Sequence, residues 1–122
     1  MPDHPRFNPA RVEVTHNYSE SSLLHCPGCR EFYLHQGKIT VYERGEDEET
    51  TVVTTVDHDR LSRAKLVSES SGNPSRRRHG LTIDFDCEHC GTVYELCIAQ
   101  HKGETELSWR PSATKSFWSG KP

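Results

Sequence analysis

Large apolar side chains are scarce in this chain of 122 residues. Leu, Ile, Val and Phe together number 23, slightly under a fifth of the sequence, a share at which a core of ordinary size is hard to build. No stretch approaches the roughly 20 apolar residues that a membrane-spanning helix needs, so no membrane association is expected. Charge of one sign is also lacking. Fifteen Lys and Arg stand against 18 Asp and Glu, a net charge of -3. That balance excludes a self-repelling coil and argues against a broad nucleic-acid surface. Met1 to Ala10 holds three prolines and no apolar segment of the kind a secretory signal requires. A phosphate-cradling glycine loop, a serine triad and paired catalytic carboxylates are missing too, and no enzyme class is indicated.

What the chain does have is five cysteines. Four of them form two C-x-x-C pairs, Cys26/Cys29 and Cys87/Cys90. An odd total argues against a fully paired disulfide framework. Two such pairs without a secretory signal favour metal, and make the cytoplasm the expected compartment. A C-x-x-C turn places two thiolates on one side of a tetrahedron, and two turns complete it. One structural Zn2+ held by Cys26, Cys29, Cys87 and Cys90 is therefore expected. Such a site contributes about 10–16 kcal/mol in finger-sized peptides, enough to offset a thin core. His25 and His89 flank the ligands and read as supporting or exposed groups. Cys97, mid-strand, reads as a small buried apolar residue.

The patterning between the motifs is mostly that of strands. Residues 1–20 read as a flexible arm with a short strand over Arg11–His16. Phe32–Leu34 and Lys38–Tyr42 flank a Gln36-Gly37 turn signal and predict a hairpin. Lys38–Tyr42 and Thr50–Val56 predict a second one, with the acidic tip Glu46-Asp47-Glu48-Glu49. In Asp57–Ser70, Leu61, Ala64 and Leu66 are spaced for a short helix. Glu69–His79 reads as a loop. Leu81–Asp86, Thr92–Gln100 and Thr105–Trp109 read as further strands. The expected organisation is one domain over residues 21–110, with residues 30–86 inserted between the cysteine pairs and a polar tail over 111–122.

The order of knuckle, hairpin, knuckle and hairpin, carried by the four cysteines with Pro27, Gly28 and Gly91, resembles the zinc-ribbon family. The resemblance implies a mainly β fold of antiparallel hairpins, elaborated by the long insert. Arg30 departs from it, standing where such ribbons often have glycine. SGNPSRRRHG, the second knuckle and IAQHKG also resemble small proteins of bacteria and of their phages or mobile elements, a likeness that implies no activity.

The acidic tip Glu46–Glu49 reads as a solvated turn or as a finger that docks a basic partner. Two further groups are candidates for contact with a partner, and a third for catalysis. Arg76, Arg77 and Arg78 are the one dense basic cluster. They are suited to phosphates or carboxylates, or to the chain's own acids. Phe117 and Trp118 sit in the polar tail, and either fold back or anchor a partner. Asp57-His58-Asp59, between the cysteine pairs, resembles the start of the catalytic hairpin of HNH nucleases, but the Asn and final His on a short helix that this family needs are not in place. Four thiolates and one Zn2+ would lower the net charge to about -5, so any nucleic-acid contact is expected to be local. The function expected from the sequence is a non-enzymatic binding module for a protein partner, as an accessory or inhibitor of a nucleoprotein complex. Direct DNA or RNA binding through Arg76–Arg78 is the alternative, and an HNH-like nuclease a remote one. Partner identity and oligomeric state are not encoded in any motif.

Overall fold

The structure, a computed structural model, describes residues 7–17 and 20–118. It is mainly antiparallel β. Among the described residues eight strands run β1 (Val14–His16), β2 (Ser22–Leu24), β3 (Leu34–Glu43), β4 (Thr50–Asp57), β5 (Arg60–Val67), β6 (Gly80–Cys87), β7 (Val93–His101) and β8 (Glu104–Pro111). β1 and β2 form a small pair with Val14 opposite Leu24. The other six form a sheet in the order β5-β4-β3-β6-β7-β8.

The hairpin with the acidic tip forms as its branched residues predict, with Ile39 opposite Val56 and Glu43 opposite Val52. Two expectations fail. Gln36 and Gly37 do not turn; both lie inside the ten-residue strand β3. The proposed helix over Leu61, Ala64 and Leu66 is instead β5, paired along its whole length with β4 from Asp57–Arg60 to Thr50–Val67. Arg, Ala, Lys and Leu in this segment favour helix, but the adjacent branched strand offers a full ladder, and long-range pairing overrides so weak a preference. The only helical piece among the described residues is the 3-10 turn Ser68–Ser70.

The chain divides into two compact units. The first comprises the described residues of Met1–Gln36, Asp84–Leu96 and Ser108–Pro122, the second Gly37–Ile83 and Cys97–Leu107. Cys26, Phe85, Cys87, Val93, Tyr94 and Trp109 are buried in the first unit. The Phe85 and Trp109 rings meet edge to face at 5.9 Å, and Phe7 stacks on Tyr94 at 5.1 Å. The second unit buries Tyr42, Cys97 and Ala99, but also Thr40, Thr51, Thr82, Ser68 and Ser75. Buried hydroxyls must be paired. Thr51 and Ser68 share a 2.8 Å hydrogen bond, Ser68 donates on to the Glu48 carbonyl, and Ser75 donates to the Gln100 carbonyl at 2.7 Å. Gly80 is required where the loop after the 3-10 turn crosses β6, because a Cβ there would lie 2.1 Å from the Asn73 side-chain oxygen.

Candidate metal centre

Residues Cys26–Cys29 and Cys87–Cys90 make two turns of the same backbone form. In the first, the Arg30 N–H donates to the Cys26 carbonyl at 2.9 Å; in the second, the Gly91 N–H donates to the Cys87 carbonyl at 2.9 Å. The Cys90 N–H also approaches the Cys87 sulfur at 3.5 Å, a contact that favours the thiolate. Both turns lie in the first unit. They bring all four sulfurs within 4.8 Å of one another. The Cys26–Cys90 separation is 3.8 Å and the Cys29–Cys87 separation 3.5 Å. A tetrahedron with metal–sulfur bonds of about 2.3 Å has edges of about 3.8 Å, and these two separations are close to it, so the donor set suits one tetrahedral metal ion. No other such cluster occurs among the described residues.

The electrostatics of the bare sulfurs point the same way. Contacts from the Cys26 and Cys87 thiols hold Cys90 down at about 2. Cys26 gains from Cys87, but the contact with Cys90 and burial outweigh this and push it up to about 12. Cys87 is raised, first by Cys26 and then by Cys90 and burial. Sulfurs this close cannot all ionise alone, and a bound cation is what allows four thiolates to share the space.

His25 is a support rather than a ligand. Its Nδ1 lies 2.6 Å from the Arg30 carbonyl, which can only accept, so Nδ1 carries the hydrogen. Its Nε2 lies 2.5 Å from the Thr15 hydroxyl. The ring thus ties the end of the first turn to β1. At the second turn, the Glu88 N–H donates to the Tyr33 carbonyl at 2.9 Å and the Glu88 carboxylate meets His35 at 3.2 Å. Cys97 is buried, lies in the second unit and is outside the cluster.

The three arginines differ from one another. Arg77 makes a bidentate pair with Asp47, Nε–Oδ1 2.9 Å and Nη2–Oδ2 2.8 Å. Arg78 pairs with Glu46. The hydrogen bond from Arg77 holds the Asp47 carboxyl below the usual carboxylate range. Two guanidiniums are therefore matched by the acidic tip, and Arg76 alone of the three has no ion pair among the described residues. Arg76 is exposed and lines a cleft of about 290 Å3 with Pro74, Ser75, Gln100, His101 and Glu106.

Phe117 and Trp118 fold back by a device that their own sequence does not announce. Asp84 and Asp86, two residues apart on β6, clamp the segment that follows β8. Asp84 accepts from Ser112 at 3.0 Å and Thr114 at 2.7 Å; Asp86 accepts from the Ser116 hydroxyl at 2.5 Å and the Phe117 N–H at 2.9 Å. Trp118 packs against the His35 ring at 4.5 Å. Phe117 is held in place yet remains 67% exposed. The signal for this clamp was the D-x-D alternation in β6, which reads equally as ordinary strand patterning. Residues 119–122 of the expected tail lie outside the described residues.

His58 belongs to a two-residue turn and points into solvent, 92% exposed, with Asp57 at 3.8 Å. The residues after it form β5, not a metal-side helix, and they belong to the second unit, whereas the four clustered cysteines belong to the first. No family model, curated protein or solved structure matches the chain. The likeness to zinc ribbons therefore rests on the four cysteines and their turns. No helix among the described residues is long and apolar enough to cross a membrane.

Proposed function

We propose that this protein is a non-enzymatic binding module in which one structural Zn2+, held by Cys26, Cys29, Cys87 and Cys90, makes up for a thin core. In this reading it binds another protein, as an accessory or inhibitor subunit. Four protein sulfurs leave no open position for substrate, which supports a structural rather than a catalytic ion. Thiolate ligands persist in a reducing compartment, which is why we place the protein in the cytoplasm.

The observation that carries protein binding is Phe117. The residue is 67% exposed, while the Asp86 carboxylate fixes its N–H and the Trp118 ring packs beside it at 5.3 Å. A largely exposed aromatic residue on a pinned backbone is suited to fill an apolar pocket on a partner, and loses little backbone freedom in doing so. Direct DNA or RNA binding has weaker support. Asp47 and Glu46 already occupy Arg77 and Arg78, and the metallated chain carries a net charge of about -5.

Two measurements test this. Elemental analysis under reducing conditions is expected to give one zinc per chain, and a value well below one sinks the metal assignment. Affinity capture from lysate, with and without nuclease, is expected to recover the same protein each time. Phe117→Ala is expected to lose it while keeping its zinc. Capture that nuclease abolishes, or that Arg76→Glu loses and Phe117→Ala retains, would overturn the protein-binding reading in favour of nucleic acid.

A further inference from the structure

We infer that the outer edge of β5 is a second recognition element, which takes an extended acidic segment of another protein as an added strand. This goes beyond the Phe117 surface and does not depend on it. β5 is the end strand of the six-stranded sheet, and all eight of its residues are exposed. Leu61 is 72% exposed and Val67 61%. An antiparallel ladder directs the backbone groups of every second residue away from the neighbouring strand. β5 therefore presents a row of donors and acceptors that are unpaired among the described residues, along a length typical of a strand-addition site.

Charge selects the occupant. Arg60, Arg63 and Lys65 lie on β5 and no acid does. Among the described residues none of the three forms an ion pair. Alternation puts Leu61, Arg63, Lys65 and Val67 on one face, with Val56, Thr54, Val52 and Thr50 beside them on β4. An added strand meets its neighbour residue for residue, so the matching segment carries two carboxylates two residues apart, flanked at the same period by apolar side chains. The carboxylates belong opposite the middle of β5, because Glu69 follows its Val67 end and repels them there.

Basic residues on an edge strand also guard against self-pairing, and here they do so. About a two-fold axis normal to the sheet, the two longest registers of β5 against its copy set Arg63 against Arg63, or Arg63 against Lys65. Like charges directly opposite are unfavourable. The same arrangement that rejects a second β5 accepts an acidic strand. Nucleic acid is a poorer fit: β5 has no aromatic ring on which a base could stack, and its cations alternate with Leu and Val.

The test uses the full, zinc-loaded chain and a fluorescent peptide of about ten residues with the core Val-Thr-Glu-Thr-Glu-Thr-Val. A control peptide carries Lys in place of Glu. Saturable binding of the Glu peptide is expected, weakening as salt rises from about 50 to about 300 mM. Amide exchange should slow across Leu61–Val67. Arg63→Glu with Lys65→Glu should weaken the Glu peptide about tenfold or more and gain the Lys peptide, since opposite charges across an interface govern partner choice. If that pair does not fold, Arg63→Gln with Lys65→Gln replaces it for the loss alone. Phe117→Ala should leave peptide binding unchanged, which separates this proposal from the reading above.

Four outcomes would overturn the inference. The first is no saturation below about 1 mM. The second is equal binding of the two peptides, or amide protection away from β5. The third is self-association that the double variant abolishes, which would assign the edge to a second copy of the chain. The fourth is displacement of the peptide by a single-stranded oligonucleotide bound at β5.

Discussion

In the first cysteine turn the N–H of Arg30 closes on the Cys26 carbonyl, and in the second the N–H of Gly91 closes on the Cys87 carbonyl, both at 2.9 Å. Both closing residues have left-handed backbone, with φ of 69° at Arg30 and 66° at Gly91. Glycine takes that conformation freely, whereas a residue with a Cβ loses about 1–2 kcal/mol in it. The first turn thus makes the same bond from a costlier residue, and that residue has a support with no counterpart at Gly91 among the described residues: His25 Nδ1–H donates to the carbonyl of that same Arg30. The geometry of a metal turn can evidently be reached by a permissive residue, or by an unfavourable one fixed from outside. Where family likeness would put glycine, an arginine is therefore no evidence against the turn.

If both turns serve one ion, removing a sulfur from either has the same large consequence. Cys26→Ser and Cys87→Ser are each expected to fall well below one zinc per chain and to unfold at least the unit that carries the four clustered cysteines. The loss amounts to several kcal/mol, since the binding energy of such a site is folding energy. Thermal melts with elemental analysis read this out. A Cys26→Ser chain that kept its zinc while Cys87→Ser lost it would break the symmetry of the two turns. Cys97→Ala should leave the stoichiometry untouched. Acid acts as a chelator does: thiolates must stay deprotonated to bind, so metal is released, and stability with it, as pH falls.

Gly91→Ala sharpens the comparison at the next level. It places in the second turn the strain that the first turn already carries, without a histidine to offset it. Strain of about 1–2 kcal/mol, less about 0.5–1 kcal/mol because alanine has less backbone freedom to lose on folding, leaves an expected cost of about 0.5–1 kcal/mol, read from denaturant midpoints at unchanged zinc content. No loss of stability would mean that the left-handed position is not strained in this setting. His25→Ala is expected to cost about 1 kcal/mol, the usual worth of one neutral hydrogen bond, with slightly more if Thr15 is left unpaired.

How far these features could be read from the sequence depended on how local their causes are. A C-x-x-C turn is decided by four adjacent residues, so both turns and their convergence were legible. So was the hairpin of β3 and β4, because the branched run Thr50–Val56 has no good alternative to a strand. β5 was misread because Leu61, Ala64 and Leu66 fit a helix about as well as a strand; what decides them is β4, and register with a neighbour is not written in either strand alone. The acidic tip and the arginine loop were both visible as charge runs. That Asp47 takes Arg77 and Glu46 takes Arg78, while Arg76 is left over, depends on two loops 30 residues apart in sequence. The Asp86 clamp on Phe117 spans a similar distance, and D-x-D in a strand gives no hint of it.

The finest test concerns Arg30 itself. Arg30→Gly removes about 1–2 kcal/mol of left-handed strain. It costs about 0.5–1 kcal/mol, because glycine has more backbone freedom to lose on folding. The long contact from Arg30 to Glu13, 3.9 Å between half-exposed groups, adds about 0–1 kcal/mol to the cost. The balance is a small stabilisation, about 0.25 kcal/mol on central values, read as a shift of the unfolding midpoint at constant zinc content. Its sign alone is a weak test, but its coupling to His25 is a strong one. If the histidine is there to hold an unfavourable backbone, His25→Ala should cost less in the Arg30→Gly chain than in the wild type, because the turn no longer needs holding. A double-mutant cycle isolates that term, expected at about 0.5 kcal/mol or more for groups in direct contact. Strict additivity would mean that His25 only joins β1 to the turn, and that the two turns differ in sequence without differing in how they are held.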